Sequence, residues 1–396
     1  MLIAGEASGD LLAAELVGAL RQKVIADSLD STTDAQPLHT ALAPRFFGAG
    51  GPKMAAAGVE LAFDLTQHAV LGLSDVLKNY LKFRKLFNQL LRIAVQRQPD
   101  VIIGVDYGGF NLRFGQAIKH YVRKHWTEFV PWNPKLVQFV SPQVWASRPE
   151  RASTLAGNYD LLLSIFPFEK AWYAKRVPRL RVEFVGHPMV GRFQQSEVRN
   201  QQSESKPPPL VVLLPGSREV EVRRHWPVVI GAFELLRRAL PTLRGKMILP
   251  DAVLAQSARS FGVPAGLEVQ VGGLAGALAK ADLAITKSGT ITMECAMFGL
   301  PAVVFYRTSW PNYFIGKQIV DVKYLAMPNL LAGEEIFPEF IQPAATPENI
   351  ARAALELLND PTRRETVKLK LTKVVAALGD RGATTRAADA ITSLRP

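Results

Sequence analysis

The sequence has one cysteine, Cys295, and only six histidines. A single cysteine excludes an internal disulfide and any metal cluster built on cysteine. Cys295 lies in an apolar stretch with helical periodicity, which predicts a buried thiol rather than a nucleophile. The histidines lack ligand spacing, since His120 and His125 are not one helical turn apart. We therefore predict no metal site and no cofactor.

Long apolar runs are also missing. No segment approaches the roughly 20 uninterrupted apolar residues of a membrane-spanning helix. The N-terminus has no basic region before an apolar stretch, so it does not resemble a secretory signal. The first strand-like run, Leu2–Ala4, begins so close to residue 1 that we expect the natural start a few residues upstream.

The net charge of +12 indicates partners of negative charge, such as lipid head groups or phosphorylated substrates. Zinc-finger spacing, RNP-like aromatic motifs and helix-turn-helix patterns are absent from the sequence. Nucleic acid is therefore not expected as a partner.

A chain of 396 residues with 48% apolar content predicts two globular domains. Short apolar runs alternate with amphipathic patterns, which is typical of α/β domains with parallel sheets and helices on both faces. Predicted strands are Leu2–Ala4, Val101–Val105, Leu136–Val140, Leu161–Ile165, Leu210–Leu214, Lys246–Leu249, Leu283–Ile285 and Ala302–Tyr306, and predicted helices include Leu11–Lys23 and Thr290–Phe298.

The clearest boundary is a polar segment that ends in three prolines, residues 194–209. Such a composition is typical of a linker. We predict domains at 1–193 and 210–375, followed by a C-terminal helix at 376–396. The simplest arrangement has the two domains facing each other across a cleft. A second polar stretch, residues 27–44, is predicted to be a surface loop of the first domain.

Polar and glycine residues follow the first strand in Gly5–Asp10. Glycines allow close approach of a ligand, and the helix start offers free N–H groups to an anion. Glu6, Ser8, Gly9 and Asp10 are therefore candidate ligand contacts. An ordinary turn, with Ser8 as helix cap and Asp10 complementing the helix dipole, explains the pattern equally well.

Asp106 ends the apolar strand Val101–Val105 and precedes Gly108 and Gly109. Ligands of open α/β sheets bind at the carboxyl ends of strands, and a carboxylate there is placed to act as a general base. The alternative is an aspartate that only caps the next turn.

The second domain repeats this arrangement after Leu210–Leu214. Gly216 and Ser217 leave backbone N–H groups free, and Arg218 adds a planar donor suited to phosphate oxygens. The second glycine and the lysine of an ATP-hydrolysing phosphate loop are missing. The alternative is a helix cap beside a solvated arginine.

Ser288, Gly289 and Thr290 form another turn before a helix that carries Glu294. Glu294 is not half of a capping box, because position 291 is isoleucine. It is placed instead to accept hydrogen bonds from ribose hydroxyls. Two anion-binding turns and this carboxylate predict a sugar-nucleotide pocket. Since the sequence lacks Asp-x-Asp, we expect the arginine and helix termini to stabilise the diphosphate without a metal.

Residues 75–94 predict one amphipathic helix with aromatic residues opposite lysines. This pattern fits a helix that lies in a membrane interface. A core-packed helix with a solvated basic face fits it as well. The candidate membrane-contacting residues are Val76, Tyr80, Phe83, Phe87 and Leu90.

An ordered series of motifs resembles the lipid-A-disaccharide synthase family from residue 2 to about 340. The motifs are Gly5–Asp10, Gly104–Asp106, Val140–Ala146, Phe166–Lys170, Val185–Pro188, Leu213–Arg218, Ser288–Thr290 with Glu294, and Leu325–Gly333. No single motif is decisive, but the ordered set is highly specific.

The resemblance implies a GT-B fold, that is, two Rossmann-like domains. It implies an inverting glycosyltransferase that joins UDP-2,3-diacylglucosamine to 2,3-diacylglucosamine 1-phosphate (lipid X), giving a β-1′,6 disaccharide and UDP. Asp106 is then the general base on the acceptor 6-hydroxyl, and Arg218 with its neighbours holds the diphosphate. Gln143, Asn329 and Gln342 would line the cleft.

The resemblance further implies peripheral attachment to the cytoplasmic face of the inner membrane through the helix around Tyr80–Phe87. It allows a homodimer. Two departures, Gly108-Gly109 and Ser147-Arg148, lie on the acceptor side, so acyl specificity is not carried over. The alternatives are another UDP-sugar enzyme of this fold, including an epimerase, and a non-catalytic lipid-binding paralogue.

Overall fold

The structure is a computed structural model that describes residues 1–30, 44–68, 73–129, 131–192 and 208–394. Residues 194–207 of the linker predicted at 194–209, and most of the predicted loop at 27–44, lie outside these residues. The chain forms two compact units. One comprises Met1–Gly191 with Leu378–Pro396, and the other comprises Arg192–Ala377.

The first unit is built on a seven-stranded parallel sheet in the order β3-β2-β1-β4-β5-β6-β7. Its strands are β1 Leu2–Ala4, β2 Phe47–Gly50, β3 Glu60–Asp64, β4 Val101–Val105, β5 Lys135–Phe139, β6 Leu161–Ser164 and β7 Val182–Phe184. Its helices up to residue 176 are α1 Ala7–Asp30, α2 Pro52–Ala56, α3 Leu73–Arg97, α4 Gly108–His125, α5 Val144–Ser147, α6 Arg151–Ala156 and α7 Pro167–Arg176.

The second unit contains a six-stranded parallel sheet in the order β10-β9-β8-β11-β12-β13. Its strands are β8 Leu210–Leu214, β9 Arg244–Leu249, β10 Leu267–Val271, β11 Leu283–Lys287, β12 Ala302–Tyr306 and β13 Glu339–Ile341. Its helices are α8 Glu219–Ala239, α9 Ala252–Ser260, α10 Leu274–Lys280, α11 Ile291–Met297, α12 Trp310–Ile319, α13 Met327–Ala332, α14 Pro347–Asn359 and α15 Pro361–Ala377.

The last helix, α16 Ala383–Thr392, belongs to the first unit, where it packs against α1. The guanidinium of Arg386 donates to the carbonyl of Val185 at 2.8 Å. Lys23 of α1 forms an ion pair with Asp389 of α16 at 3.4 Å. The C-terminal helix therefore completes the unit in which the chain began.

The central strands are apolar because helices cover both faces of each sheet. Leu161–Ser164 is buried at every position, and Leu210–Leu214 is buried at all but its first. Each sheet reverses its strand order once, between β1 and β4 and between β8 and β11. Ligands of such folds bind outside the carboxyl ends of the strands at this reversal. Cys295 is fully buried in α11, as predicted.

Helix α3 corrects part of the membrane prediction. Leu90 is fully buried in the core of the first unit, so it does not contact a membrane. The ring of Phe87 packs edge-on against Phe110 and Phe114 of α4, with centroids 5.4 and 5.6 Å away. This part of α3 is thus a core-packed helix, because its apolar stripe is needed to cover α4. The side chains of Val76 and Tyr80 lie outside the described residues.

Phe83 remains half-buried, in a stretch where Leu81 is 78% exposed. Among the helices of the described residues, none has the length and apolar character needed to cross a membrane.

Candidate active site

The strand reversal of the first sheet brings Asp106 beside the Gly5–Asp10 turn. β1 and β4 are paired in parallel register, with Ala4 opposite Val105, so the two following segments leave the sheet at one edge. The approach is close, since a methyl group added at Gly9 would lie 3.4 Å from the Cβ of Asp106. Residues some 100 positions apart are thereby joined in one site.

Asp106 has a left-handed backbone, with φ of +52°. Its N–H donates to the carbonyl of Phe139 at 2.6 Å, which fixes the residue to the neighbouring strand. Burial raises the pKa of its carboxyl group, and hydrogen bonds from the Tyr107 N–H and the Ser8 side chain oppose that shift. A carboxylate with a raised pKa is a stronger base than an ordinary aspartate.

The other predicted residues of this turn differ in accessibility. Ser8 is exposed, Glu6 is half-buried and Gly9 is buried. The phenol of Tyr107 has a raised pKa, chiefly through burial and secondly through the charge of Glu6. Glu6 and Ser8 are thus accessible from the edge that carries Asp106.

Asp10 was predicted as a ligand contact, and the structure contradicts this. Its carboxylate is 2% exposed and accepts hydrogen bonds from the backbone N–H groups of Gly51, Lys53 and Met54 at 2.8, 2.9 and 3.0 Å. These N–H groups belong to the first turn of α2, which would otherwise leave them unpaired. Asp10 therefore caps α2 from a distant part of the chain.

Gln143 is exposed and precedes the short helix α5. Behind it lies a buried polar cluster that sequence reasoning did not resolve. The indole N–H of Trp145 donates to Glu169 at 2.9 Å, and the hydroxyl of Ser141 donates to that of Tyr173 at 3.1 Å. Burial raises the pKa of Glu169 to about 7. Gln143 thus directly precedes a helix, α5, that the buried carboxyl group of Glu169 holds in place through Trp145.

The second sheet has the same arrangement at its own reversal. β8 and β11 are paired with Leu214 opposite Thr286, so the turns that follow them share one edge. Gly216 has φ of +142°, and Arg218 is the N-cap residue of α8. The predicted anion-binding residues therefore lie together in the second unit.

An internal carboxylate occupies part of this edge. Glu221 accepts a hydrogen bond from the N–H of Ser217 at 3.0 Å and forms an ion pair with Lys287 at 2.7 Å. Arg218 lies 4.0 Å from the same carboxylate. Neither Glu221 nor Lys287 was predicted as a site residue, since nothing local in the sequence signals a pair formed across 66 positions.

Glu294 lines a cavity of about 350 Å³ that begins at this edge. Burial raises the pKa of its carboxyl group to about 7, and the charge of Arg192 opposes the shift. The cavity is lined by Leu214, Gly216, Ser217, Ile248, Leu249, Pro250, Gly272, Gly273, Leu274, Lys287, Thr290, Ile291 and Glu294. The turn at 272–274 was missed because the edge strand before it was not predicted. Within the described part of the chain, no three His, Cys, Asp or Glu side chains are grouped as a metal site requires.

The turn after β11 is only partly free. The hydroxyl of Ser288 donates to the carbonyl of Leu325 at 2.9 Å, whereas Gly289 and Thr290 are exposed. Ser288 thus fastens the 325 segment to the edge while the next two residues face solvent.

Asn329 and Gln342 were expected to line a ligand cleft, and the structure contradicts this. Asn329 is fully buried, and its amide makes four hydrogen bonds, to the backbone of Ile336 and Phe337 and to Glu339. Gln342 is 5% exposed and bonds both backbone groups of Thr308 at 3.0 Å. Both amides hold loops in place because their hydrogen-bonding groups are used within the fold.

A larger open depression of about 620 Å³ lies elsewhere in the first unit. It is lined by residues such as Asn133, two residues before β5, and Asp160, directly before β6. It therefore lies at the amino ends of the strands, at the opposite edge of the sheet from Asp106. Ligands of this fold class bind at the carboxyl ends of the strands instead.

The sequence is similar to known proteins over nearly its whole length. A family model described as lipid-A-disaccharide synthetase matches residues 1–391. The lipid-A-disaccharide synthase of Geobacter metallireducens is 35% identical over 396 residues, covering 98% of this chain and 95% of that protein.

Solved structures share the architecture at low identity. The glycosyltransferase of kitacinnamycin has a TM-score of 0.58 at 18% identity, covering 100% of this chain and 98% of that one. UDP-GlcNAc 2-epimerase from Neisseria meningitidis has a TM-score of 0.53 at 11% identity, covering 99% of each chain. The predicted GT-B fold is thereby confirmed, and the fold alone does not separate transferases from epimerases.

Proposed function

Because this chain belongs to the lipid-A-disaccharide synthetase family, and is therefore a glycosyltransferase that makes the lipid A disaccharide, we propose a role for each part of the described site. The reaction condenses UDP-2,3-diacylglucosamine with 2,3-diacylglucosamine 1-phosphate, with inversion at the anomeric carbon. Its donor is a UDP-sugar and its acceptor is a glycolipid.

Asp106 acts as the general base in this proposal. Its carboxylate removes the proton of the acceptor 6-hydroxyl while that oxygen bonds to the anomeric carbon of the donor, and the bond from that carbon to the diphosphate breaks. The supporting observation is its position at the carboxyl end of β4, beside the exposed hydroxyl of Ser8. Burial raises the pKa of the Asp106 carboxyl group, which makes the carboxylate a stronger base than an ordinary aspartate.

The second unit binds the donor in this proposal. Arg218, Lys287 and the N–H of Ser217 stabilise the diphosphate as negative charge develops on it. Glu294 accepts hydrogen bonds from ribose hydroxyls in the cavity that Ser217 and Lys287 also line. Gly289 and Thr290 face solvent at the same edge, where they can approach the phosphates.

The position of Asp106 is the observation that carries the mechanism, so its removal is the test. We expect Asp106→Ala to lower the rate of disaccharide formation by about 10²-fold or more. UDP binding measured by calorimetry should stay within about twofold, since Asp106 lies in the other unit. A variant that keeps transferase activity within a few-fold of the wild type would refute the base assignment.

The reaction itself is measured as UDP release from UDP-2,3-diacylglucosamine in mixed micelles, with and without lipid X. Acceptor-dependent release with a disaccharide product is the expected result. Release that does not depend on lipid X would indicate an epimerase or hydrolase. UDP binding without any turnover would indicate a lipid-binding paralogue.

We extend the proposal to the cytoplasmic face of the inner membrane, where the chain would associate peripherally with anionic lipid. Support comes from Leu81, which is 78% exposed, from the half-buried Phe83 and from the exposed cations Lys82, Arg84 and Lys85 beside them on α3. Exposed apolar residues among cations are typical of interfacial helices.

The matching test replaces Leu81 and Phe83 by glutamate and measures cosedimentation with phosphatidylglycerol vesicles. Binding should fall by about tenfold. Leu369→Glu is the control, because Leu369 is 60% exposed on α15 of the second unit. Unchanged binding by a folded double variant would refute the membrane proposal.

We also propose that the first unit, with its C-terminal helix, binds the acceptor, and that two chains form a homodimer. The homodimer is a state that the family resemblance allows. Size-exclusion chromatography with light scattering tests it, and a mass of one chain at assay concentration would contradict it.

A further inference from the structure

The backbone at Asp106 is unusual in two consecutive residues. Asp106 and Tyr107 have φ of +52° and +46°, and neither is glycine. L-residues avoid the left-handed region, so such a pair persists only where its surroundings hold it. The direction in which the Asp106 side chain leaves the backbone depends on this conformation.

Two buried amides supply that restraint. The carbonyl of Asp106 accepts a hydrogen bond from the side chain of Asn111 at 2.8 Å and another from the side chain of Gln138 at 2.9 Å. The two residues are 1% and 0% exposed. Asn111 lies on α4 and Gln138 on β5, so the carbonyl is held from two different elements.

Both amides leave their oxygen atoms unused. Asn111 Oδ1 and Gln138 Oε1 are buried and have no hydrogen-bond partner within the residues that the structure describes. An unpaired buried polar atom destabilises a fold, and apolar side chains of similar size would avoid this loss. Two side chains leave a buried oxygen unpaired while both donate to the carbonyl of Asp106. This indicates that the two donated hydrogen bonds are needed to hold that carbonyl.

The sequence also makes room for the two amides. A methyl group added at Gly104 would lie 2.7 Å from Gln138 Oε1 and 2.8 Å from Asn111 Cγ. Any side chain at position 104 would therefore displace one of them. Gly104, the last residue but one of β4, thus leaves the space that this arrangement requires.

We propose that Asn111 and Gln138 are positioning residues for the transfer reaction, which orient the Asp106 carboxylate by fixing its backbone carbonyl. The inference rests on the proposed role of Asp106 as general base. Neither amide touches substrate in this account. They act because a small rotation about the Asp106 backbone would move the carboxylate away from the acceptor hydroxyl, and small misplacements of reacting groups reduce rates strongly.

The test uses Gln138→Met, which at similar volume removes the unpaired oxygen and the hydrogen bonds that Gln138 donates to the carbonyls of Asp106 and Val140, at 2.9 and 3.1 Å. Asn111→Leu, which leaves the bond to Val140 in place, separates the two losses. We expect kcat to fall by about 10- to 100-fold while KM for both substrates changes less than about twofold. The acid limb of the pH–rate profile should also shift, because the carboxylate changes its surroundings. Asn111→Leu, the second variant, should show the same pattern.

Tyr159→Phe is the matched control. The Tyr159 hydroxyl donates to the backbone carbonyl of Asn111 at 2.6 Å, so its loss removes a buried hydrogen bond nearby without touching the Asp106 carbonyl. This variant should lower the melting temperature and leave kcat and the pH profile unchanged. A kcat loss equal to that of Gln138→Met would show a structural effect and overturn the inference.

The Asp106→Ala variant distinguishes a failure of the positioning inference from a failure of the general-base proposal. If Asp106→Ala is inactive and folded Gln138→Met and Asn111→Leu both keep wild-type kcat, only the positioning inference fails. If Asp106→Ala is active, both fail. In the expected case, adding Gln138→Met to Asp106→Ala causes no further loss of activity.

Discussion

The carboxylate of Glu221 and the backbone N–H of Ser217 are joined by a hydrogen bond of 3.0 Å. The same carboxylate contacts Lys287 at 2.7 Å. The N–H and the ammonium that would bind a diphosphate are therefore both engaged by an anion of the protein. A diphosphate that binds here must either displace Glu221 or share these donors with it.

Removal of this charge should strengthen UDP binding. Glu221→Gln keeps an oxygen that can accept from Ser217 but removes a negative charge near the proposed diphosphate. We expect about fivefold tighter binding by calorimetry, since like charges a few ångströms apart repel by about 1 kcal/mol or more. Glu219→Gln, on the same helix but paired with Arg223, should leave affinity unchanged. Weaker binding by Glu221→Gln would show that the carboxylate organises the site instead.

UDP binding should depend on pH through Glu294. Its pKa of about 7 means that the carboxyl group loses its proton as the pH rises through neutrality. The ionised form accepts hydrogen bonds from ribose more strongly, so affinity should increase from pH 6 to pH 8. Glu294→Gln retains an acceptor but does not titrate. It should lose this part of the pH dependence and keep only that of UDP itself, and identical profiles would contradict the assignment.

Asp10→Ala should destabilise the first unit without affecting UDP affinity. The variant leaves the three N–H groups at the start of α2 without their buried acceptor. We expect a loss of about 2–4 kcal/mol in the free energy of unfolding, measured by urea denaturation. Ser8→Ala, in the same turn but exposed, is the control and should cost well under 1 kcal/mol. A stable Asp10→Ala variant would mean that the cap is dispensable.

Glu169 should make stability fall as the pH rises. Burial raises its pKa to about 7 from an ordinary 4.5, so between these values the folded state keeps a proton that the unfolded state has released. The free energy of unfolding therefore decreases from about pH 4.5 to pH 7. Relative to the wild type, Glu169→Gln should gain on the order of 2 kcal/mol between pH 5 and pH 8. A constant difference between the two proteins across this range would refute the shift.

The central strands were predicted closely, because a strand buried on both faces is a continuous apolar run. Leu2–Ala4, Val101–Val105, Leu210–Leu214 and Ala302–Tyr306 have the predicted bounds. The sheet edges were missed. Glu60–Asp64, for instance, mixes charged and apolar residues because one side of an edge strand faces solvent.

The positions of the candidate residues were predictable where a polar side chain follows a strand closely, as Asp106 follows β4 and Ser217 follows β8. The site was not predictable where a polar side chain forms hydrogen bonds with backbone groups that are distant in the sequence. Aspartate and asparagine are residue types that often contact ligands. Only the tertiary structure shows that the side-chain oxygens of Asp10 and Asn329 already accept hydrogen bonds from the backbone. The Glu221–Lys287 pair was missed for the same reason.

The position of α16 has a consequence for biosynthesis. The first unit lacks its last helix until the whole second unit, Arg192–Ala377, has been translated. At about 5–20 residues per second this interval is roughly 10 to 40 s. During it the apolar face of α1 that α16 covers stays open on the nascent chain, exposed to chaperones and to the α16 of another copy. The packing of α16 on α1, with its Lys23–Asp389 ion pair, therefore forms only after the second unit has been synthesised.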